Sequence, residues 1–316
     1  MKLYIVIPCF NEEEVLTETS SRLKIKMEKL IGEQKISKNS RIVFVDDGSK
    51  DNTWQIIQTL HNESSMFSGV KLSRNRGHQN ALLAGLTMAA DYADVVISMD
   101  ADLQDDINAV DEMLEKYENG CDIVYGVRNL REKDTFFKRF SAESFYKLLN
   151  FLGGKVVYNH ADYRLMSNRA LKGLLEFKEV NLFLRGMVPM IGYKSDIVTY
   201  ERGERFAGES KYPLTKMLSF AFEGITSLSI KPVRLIFDAG MIICGISVLV
   251  MIYFLTRYFT GNTVSGWTSL IMSIWMLSGL QLIAVGIIGE YIGKVYLETK
   301  GRPKFIVETC LNSEDV

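Results

Sequence analysis

Apolar runs rich in β-branched residues alternate with amphipathic stretches through residues 1–127. The continuous apolar runs at 3–7, 41–46, 70–72, 95–99 and 123–127 predict buried strands. Between them, apolar positions recur at helical spacing over 12–31, 53–61, 79–90 and 107–117, with Asn11 and Asn52 placed to cap the first two helices. This alternation predicts an α/β fold, a doubly wound, mostly parallel sheet covered by helices on both faces. Ligands of such sheets bind beyond the carboxyl ends of the strands. The segments that follow the strands directly are therefore the candidates for chemistry: Pro8-Cys9-Phe10-Asn11-Glu12, Asp46-Asp47-Gly48-Ser49 and Asp100-Ala101-Asp102-Leu103-Gln104.

The pattern changes towards the end of the chain. Residues 239–255 and 267–289 are two uncharged runs of 17 and 23 residues, the second broken only by polar Gln281. As helices they reach roughly 25 and 35 Å, against a bilayer hydrocarbon core of about 30 Å. Core helices of a soluble protein normally keep one polar face. Two membrane spans, about 233–256 and 267–289, are therefore expected as a hairpin. Lys231 and Arg234 precede the hairpin, Lys294, Lys300, Arg302 and Lys304 follow it, and the connecting loop carries only Arg257. The positive-inside rule places both ends in the cytoplasm. The expected organisation is a cytoplasmic domain at 1–210, an amphipathic juxtamembrane segment at 211–232, the hairpin at 233–293 and a tail at 294–316. No basic, apolar leader of the signal-peptide kind is expected at the N-terminus.

The net charge of −1 conceals a split: residues 1–127 hold 13 Lys/Arg and 21 Asp/Glu, residues 128–316 hold 24 and 17. Near-neutral charge disfavours a nucleic-acid binder. The four cysteines show no CxxC spacing, and scattered thiols fit a reducing compartment. No Gly-x-Gly-x-x-Gly follows the first strand and no P-loop lysine motif occurs, which disfavours dinucleotide dehydrogenases and P-loop NTPases. Asp100, Asp102 and the Gln104 amide are hard oxygen ligands that suit a divalent cation bridging substrate phosphates. Asp46 and Asp47 suit hydrogen bonds from a ribose or base, although Asp-Asp-Gly-Ser is also good turn chemistry. Arg128, Arg131, Lys133, Lys138 and Arg139 form a basic cluster suited to a phosphate or to anionic lipid headgroups. Phe140, Phe145, Tyr146, Leu148 and Leu149 after it suit a membrane-lying apolar face.

Pro8-x-Phe10-Asn11-Glu12, Val45-Asp46-Asp47-Gly48-Ser49 and Asp100-x-Asp102 resemble, in order and spacing, the inverting glycosyltransferases of family 2, which have a GT-A fold. Arg74-Asn75-Arg76-Gly77, Asp162-Tyr163-Arg164-Leu165-Met166, Asn181-Leu182-Phe183, the segment from Arg205 to Tyr212 and Gly289-Glu290-Tyr291-Ile292-Gly293-Lys294 look like the polyprenyl-phosphate branch of that family. The resemblance is to the bactoprenol glucosyltransferases of the GtrB type, relatives of dolichyl-phosphate mannose synthase. It runs from residue 3 to about 306 and departs only at Ala161, where Gly is expected.

The resemblance implies inverting transfer of a sugar, glucose above all, from a UDP-sugar to undecaprenyl phosphate at the bacterial cytoplasmic membrane. It implies that Pro8, Phe10, Glu12, Asp46, Asp47, Asp100, Ala101 and Arg205 bind the donor. Asp100, Asp102 and Gln104 would hold Mg2+ or Mn2+, and Arg128, Arg131 and Arg139 the acceptor phosphate. Asp102, Asp162 and Arg128 are the catalytic candidates. The acceptor, a phosphate monoester with a second pKa near 6, is already largely a dianion. Asp162, the suspected base of the family, then suits a positioning role, or simple pairing with Arg164. The implied partners are the bilayer, a flippase and a second glycosyltransferase, while Gly240, Gly245, Gly279, Gly286 and Gly289 in the spans suit close approach of a second copy of the chain. Intact Asp100, Asp102 and Gln104 argue against a non-catalytic nucleotide-sugar-binding membrane protein. Two spans and no Gln-x-x-Arg-Trp argue against a processive synthase.

Overall fold

The computed structural model of the protein describes residues 1–128, 160–180, 182–201, 203, 231–259 and 266–312. Strand β1 (Leu3–Cys9) is buried along its whole length. Alternate residues point to opposite faces of a strand, and β1 feeds two cores accordingly. Leu3, Ile5 and Ile7 pack with helices α1 (Leu16–Gly32), α2 (Thr53–Glu63) and α4 (Ala109–Glu118). Tyr4 and Val6 pack with α3 (His78–Ala89), α5 (Asn168–Leu175) and α6 (Leu184–Met190). The sheet is thus covered on both faces.

β1 pairs in parallel with β2 (Arg41–Asp46) on one side and β4 (Val95–Ser98) on the other; β3 (Phe67–Leu72) continues outward from β2. The chain reverses its direction of travel across the sheet between β3 and β4, which opens a crevice beyond the carboxyl ends of β1 and β4. Helix α3 closes tightly beneath it. A Cβ on Gly85 would lie 2.5 Å from Val6 Cγ1 and 2.6 Å from Val45 Cγ2, so only glycine admits this approach.

Three strands of the sheet lie outside the alternating pattern. β6 (His160–Ser167) runs antiparallel between β4 and β5 (Ile123–Arg128). Its polar residues Asp162 and Arg164 hide it in the sequence, yet both are buried and bonded to each other. β7 (Ser195–Tyr200) extends one edge in parallel with β5. β8 (Val307–Leu311) closes the other edge, antiparallel to β3. Among the described residues the order is β7-β5-β6-β4-β1-β2-β3-β8.

The expected caps are corrected. Helix α1 begins at Leu16, and Asn11 has φ +55° in the preceding turn. Its Oδ1 accepts from the Lys50 amide (2.9 Å), tying the first loop to the second. Asn52 does hold the N-cap position of α2 but makes no capping bond with its side chain. Instead its Nδ2 donates to Glu13 Oε2 (2.9 Å).

Residues 231–300 supply two long helices in contact, α7 (Lys231–Phe259) and α8 (Trp267–Lys300). Within α8, Leu277–Lys300 is long and apolar enough to cross a membrane. Of the segment expected as a tail, 294–300 continues α8 and 307–311 is β8. Nearly all of the expected juxtamembrane segment lies outside the described residues.

Candidate active site

The first wall of the crevice is made by the ends of β1 and β2. Pro8 and Cys9 are buried in β1, Phe10 emerges 42% exposed, and Glu12 is half-buried with its amide donating to Thr53 Oγ1 (2.9 Å). Asp46 is wholly buried; its Oδ1 accepts from the Ser49 amide (3.0 Å), while Oδ2 has no hydrogen-bond partner. Asp47 is gripped through both oxygens by the loop before α3, Oδ1 by the Arg76 amide (2.7 Å) and Oδ2 by the Gly77 amide (2.8 Å). Burial raises its pKa, and these two amides oppose the rise. Gly48, at φ +69°, lies under the same loop: a Cβ there would stand 2.7 Å from the Asn75 nitrogen.

The second wall follows β4. Asp100 leaves about one third of its side chain exposed, with Oδ1 3.6 Å from His78 Nε2 and Oδ2 3.8 Å from Arg128 Nη2. Burial and then the neighbouring charge of Asp105 push its pKa up to about 6 against the pull of His78. Asp102 is half-buried and accepts from the Gln104 amide at 3.2 Å; Ala101 and Gln104 are buried. The buried Asp105 organises Arg128. Its Oδ1 accepts from Arg128 Nη2 (3.1 Å) and from the Tyr200 hydroxyl, which accepts in turn from Arg128 Nε (3.1 Å). Burial opposes the charge of Arg128, but Asp105 outweighs it and the guanidinium stays protonated. Burial and Asp105 likewise raise the pKa of Tyr200, which remains a donor.

Asp162 reaches the crevice from β6. Its Oδ1 accepts from Arg164 Nη2 (2.6 Å), its Oδ2 from Arg185 Nη2 (3.1 Å), and His78 Nε2 stands 3.6 Å from Oδ2. Burial works against its ionisation, but His78, Arg185 and Arg164 together hold its pKa well below the usual carboxylate range. His78 therefore bridges Asp100 and Asp162. Burial lowers its basicity, yet the bond to Asp162 and the charge of Asp100 prevail and its pKa is raised.

The structure brings Asp100, Arg128 and Asp162 together around His78, which follows the loop that holds Asp47; Asp102 and Gln104 lie in the turn after Asp100. Arg131, Arg139 and Arg205 lie outside the described residues, as do the apolar stretch 140–149 and the segment 205–212. Sequence reading passed over His78, Asp105, Arg185 and Tyr200. His78 and Arg185 each lie just beyond a segment singled out by its pattern, Arg74–Gly77 and Asn181–Phe183. Asp105 and Tyr200 carry no local signal, since only the fold makes them neighbours.

Among the described residues, no three His, Cys, Asp or Glu side chains converge as a metal cage. Asp100, Asp102 and Gln104 still fit a magnesium-type ion, which takes one or two carboxylates and completes its shell with water and substrate phosphates. The raised pKa of Asp100 supports that fit, because crowded carboxylates are the environment a divalent cation relieves.

The sequence profile described as glycosyl transferase family 2 matches residues 4–175. The chain is 53% identical to YkoT, an uncharacterized glycosyltransferase of Bacillus subtilis (strain 168), over 99% of this chain and 93% of the relative. It is 39% identical to the prophage bactoprenol glucosyl transferase homolog of Escherichia coli (strain K12), over 98% of this chain and 99% of the relative. With the SfII prophage-derived bactoprenol glucosyl transferase of Shigella flexneri the identity is 40%, over 98% of each chain.

Proposed function

The chain belongs to glycosyltransferase family 2, and from that premise we propose that it transfers glucose from UDP-glucose to undecaprenyl phosphate at the cytoplasmic face of the membrane, inverting the anomeric carbon. The observation that carries this reading is the placement of Asp100, at the crevice between β1 and β4, 3.6 Å from His78 Nε2 and 3.8 Å from Arg128 Nη2. Two full-length relatives bear the name of bactoprenol glucosyl transferases, and α8 carries a stretch that suits a bilayer.

In this reading Phe10, Glu12, Asp46 and Asp47 border the nucleoside, with Asp47 fixing the Arg76–Gly77 loop at its edge. Asp100, Asp102 and Gln104 would hold Mg2+ or Mn2+, which would neutralise the diphosphate and make it a better leaving group. Arg128, preset by Asp105 and Tyr200, meets phosphate oxygens. Arg131 and Arg139 join it on the acceptor and Arg205 on the donor. The acceptor dianion attacks the anomeric carbon in line with the departing diphosphate, so catalysis rests on alignment and charge. Asp162, already saturated by Arg164, Arg185 and His78, is a poor proton acceptor and positions these side chains instead. Both helices α7 and α8 cross the membrane, with the catalytic domain and both termini in the cytoplasm. The lipid-linked sugar then requires a flippase and a second transferase to consume it.

The test is incubation of the purified full chain with radiolabelled UDP-sugars, magnesium or manganese, and undecaprenyl phosphate. A β-linked lipid phosphate sugar from UDP-glucose is expected. No lipid-linked product from any common UDP-sugar would overturn the assignment.

A further inference from the structure

Helix α8 does not end in a free tail. Gly301, at φ +55°, caps it, its amide donating to the Glu298 carbonyl (3.1 Å). The chain then turns back onto the catalytic domain. Glu298, on the last turn, accepts the Val180 amide through both oxygens (2.8 and 2.9 Å), and Lys304 Nζ donates to the Phe177 carbonyl (2.9 Å). Arg76 Nη2 donates to the Pro303 carbonyl (2.5 Å), and the Ser73 amide donates to the Ile306 carbonyl (3.0 Å). Phe305 packs against the same core as Leu182, and β8 follows along β3.

A strand added to cover an exposed edge needs only its ladder of backbone bonds. The additional bonds land elsewhere, on two loops that feed the crevice. Residues 73–77 carry the amides that hold Asp47 and lead into His78. Residues 177–180 lead to Leu184 and Arg185, where the Leu184 amide donates to Gln79 Oε1 (2.9 Å) and Arg185 holds Asp162. Both loops are thereby fastened to the end of the helix that suits a membrane.

We propose that residues 298–311 form a clasp through which α8 positions the 73–78 loop, and with it Asp47 and His78, for donor binding. Arg76 is the positioning residue of that loop, and Glu298 is the positioning residue of the 177–180 loop that leads to Arg185. The proposal rests on the glycosyltransferase reading only for its kinetic consequence; the mechanical claim stands on the contacts alone.

The experiment uses the full chain in lipid nanodiscs and compares Arg76→Ala, Arg76→Lys, Glu298→Ala and Glu298→Gln. The Lys and Gln variants keep a donor and an acceptor for the same partners. Hydrogen exchange of amides 74–78 is expected to quicken about tenfold in Arg76→Ala. Exchange at 178–182 is expected to do the same in Glu298→Ala, and Arg76→Lys and Glu298→Gln restore most of the protection. Where UDP-glucose is turned over, the donor KM rises about five- to tenfold in the two Ala variants, with the acceptor KM unchanged. Unchanged exchange at 74–78 would overturn the clasp. So would donor and acceptor KM rising together with a lowered melting point, the pattern of mere destabilisation. If the wild-type chain makes no product, the transferase reading fails, and the exchange data still decide the clasp.

Discussion

Asp100 is the residue at which the needs of folding and of chemistry conflict most sharply. Its pKa is pushed from 3.8 to about 6 by burial and by Asp105, with Asp162 and Asp102 adding to it, so the ionised side chain destabilises the folded state. At about 1.36 kcal/mol per unit the rise amounts to roughly 3 kcal/mol. One third of the side chain is exposed, and solvent screening reduces the figure to about 1–2 kcal/mol. The sign follows from the direction of the shift. The penalty is full above pH 6, shrinks as pH falls from 6 towards 3.8, and vanishes below it. Asp100→Asn removes the charge and is therefore expected to melt higher than the wild type at pH 7.5 in EDTA. The gain is a few degrees, at roughly 2–4 °C per kcal/mol for a domain of this size. The gap should narrow at pH 5. Manganese should raise the melting point of the wild type alone and close the gap at pH 7.5, because only the wild type keeps the full ligand set. Turnover in the variant should fall more than about a hundredfold. Thermal melts in detergent at two pH values, with and without metal, decide the matter. An Asp100→Asn variant no more stable than wild type at pH 7.5 in EDTA would refute the electrostatic account.

Asp162→Asn leaves the fully buried Arg164 without its counter-charge, and a loss of about 3–5 kcal/mol in chemical denaturation is expected; wild-type stability would show that the pair is not a structural anchor. Because the Asp162 pKa is held far below neutrality, the rate between pH 5.5 and 8 should show no limb from its ionisation. A limb near pH 6 that disappears in Asp162→Asn would reinstate it as a base. Tyr200→Phe loses the hydroxyl that donates to Asp105 and accepts from Arg128. The acceptor KM should rise about three- to tenfold while the donor KM stays constant, and equal changes in both would refute the positioning of Arg128 for the acceptor. Gly85→Ala forces a methyl against Val6 and Val45 and should cost about 1–3 kcal/mol, read as a lower melting point.

The parts of this molecule that could be read from its sequence are those whose cause is local. A β-branched run bounded by polar turn residues fixes β1, β2 and β4. The crevice rule then selects Asp100 and Asp102 without any knowledge of contacts. What escaped reading depends on partners distant in the chain. β6 reads as too polar for an interior strand because Asp162 and Arg164 neutralise each other only after folding, together with Arg185. β8 follows a membrane-type helix, and nothing in Val307–Leu311 announces that its partner is β3, well over 200 residues earlier. The same reasoning separates two kinds of carboxylate within one crevice. Asp100 is a half-buried aspartate after a strand and Asp162 a buried one within a strand, and residue type gives them equal claim to act as a base or a ligand. Their surroundings divide them. Asp162 is bonded by Arg164 and Arg185 and its pKa is held low, whereas at Asp100 burial and the neighbouring Asp105, Asp162 and Asp102 outweigh His78, with Arg128 no nearer than 3.8 Å, and the pKa is raised. Of the two, the one left under-compensated by its own protein is the one equipped to receive a cation.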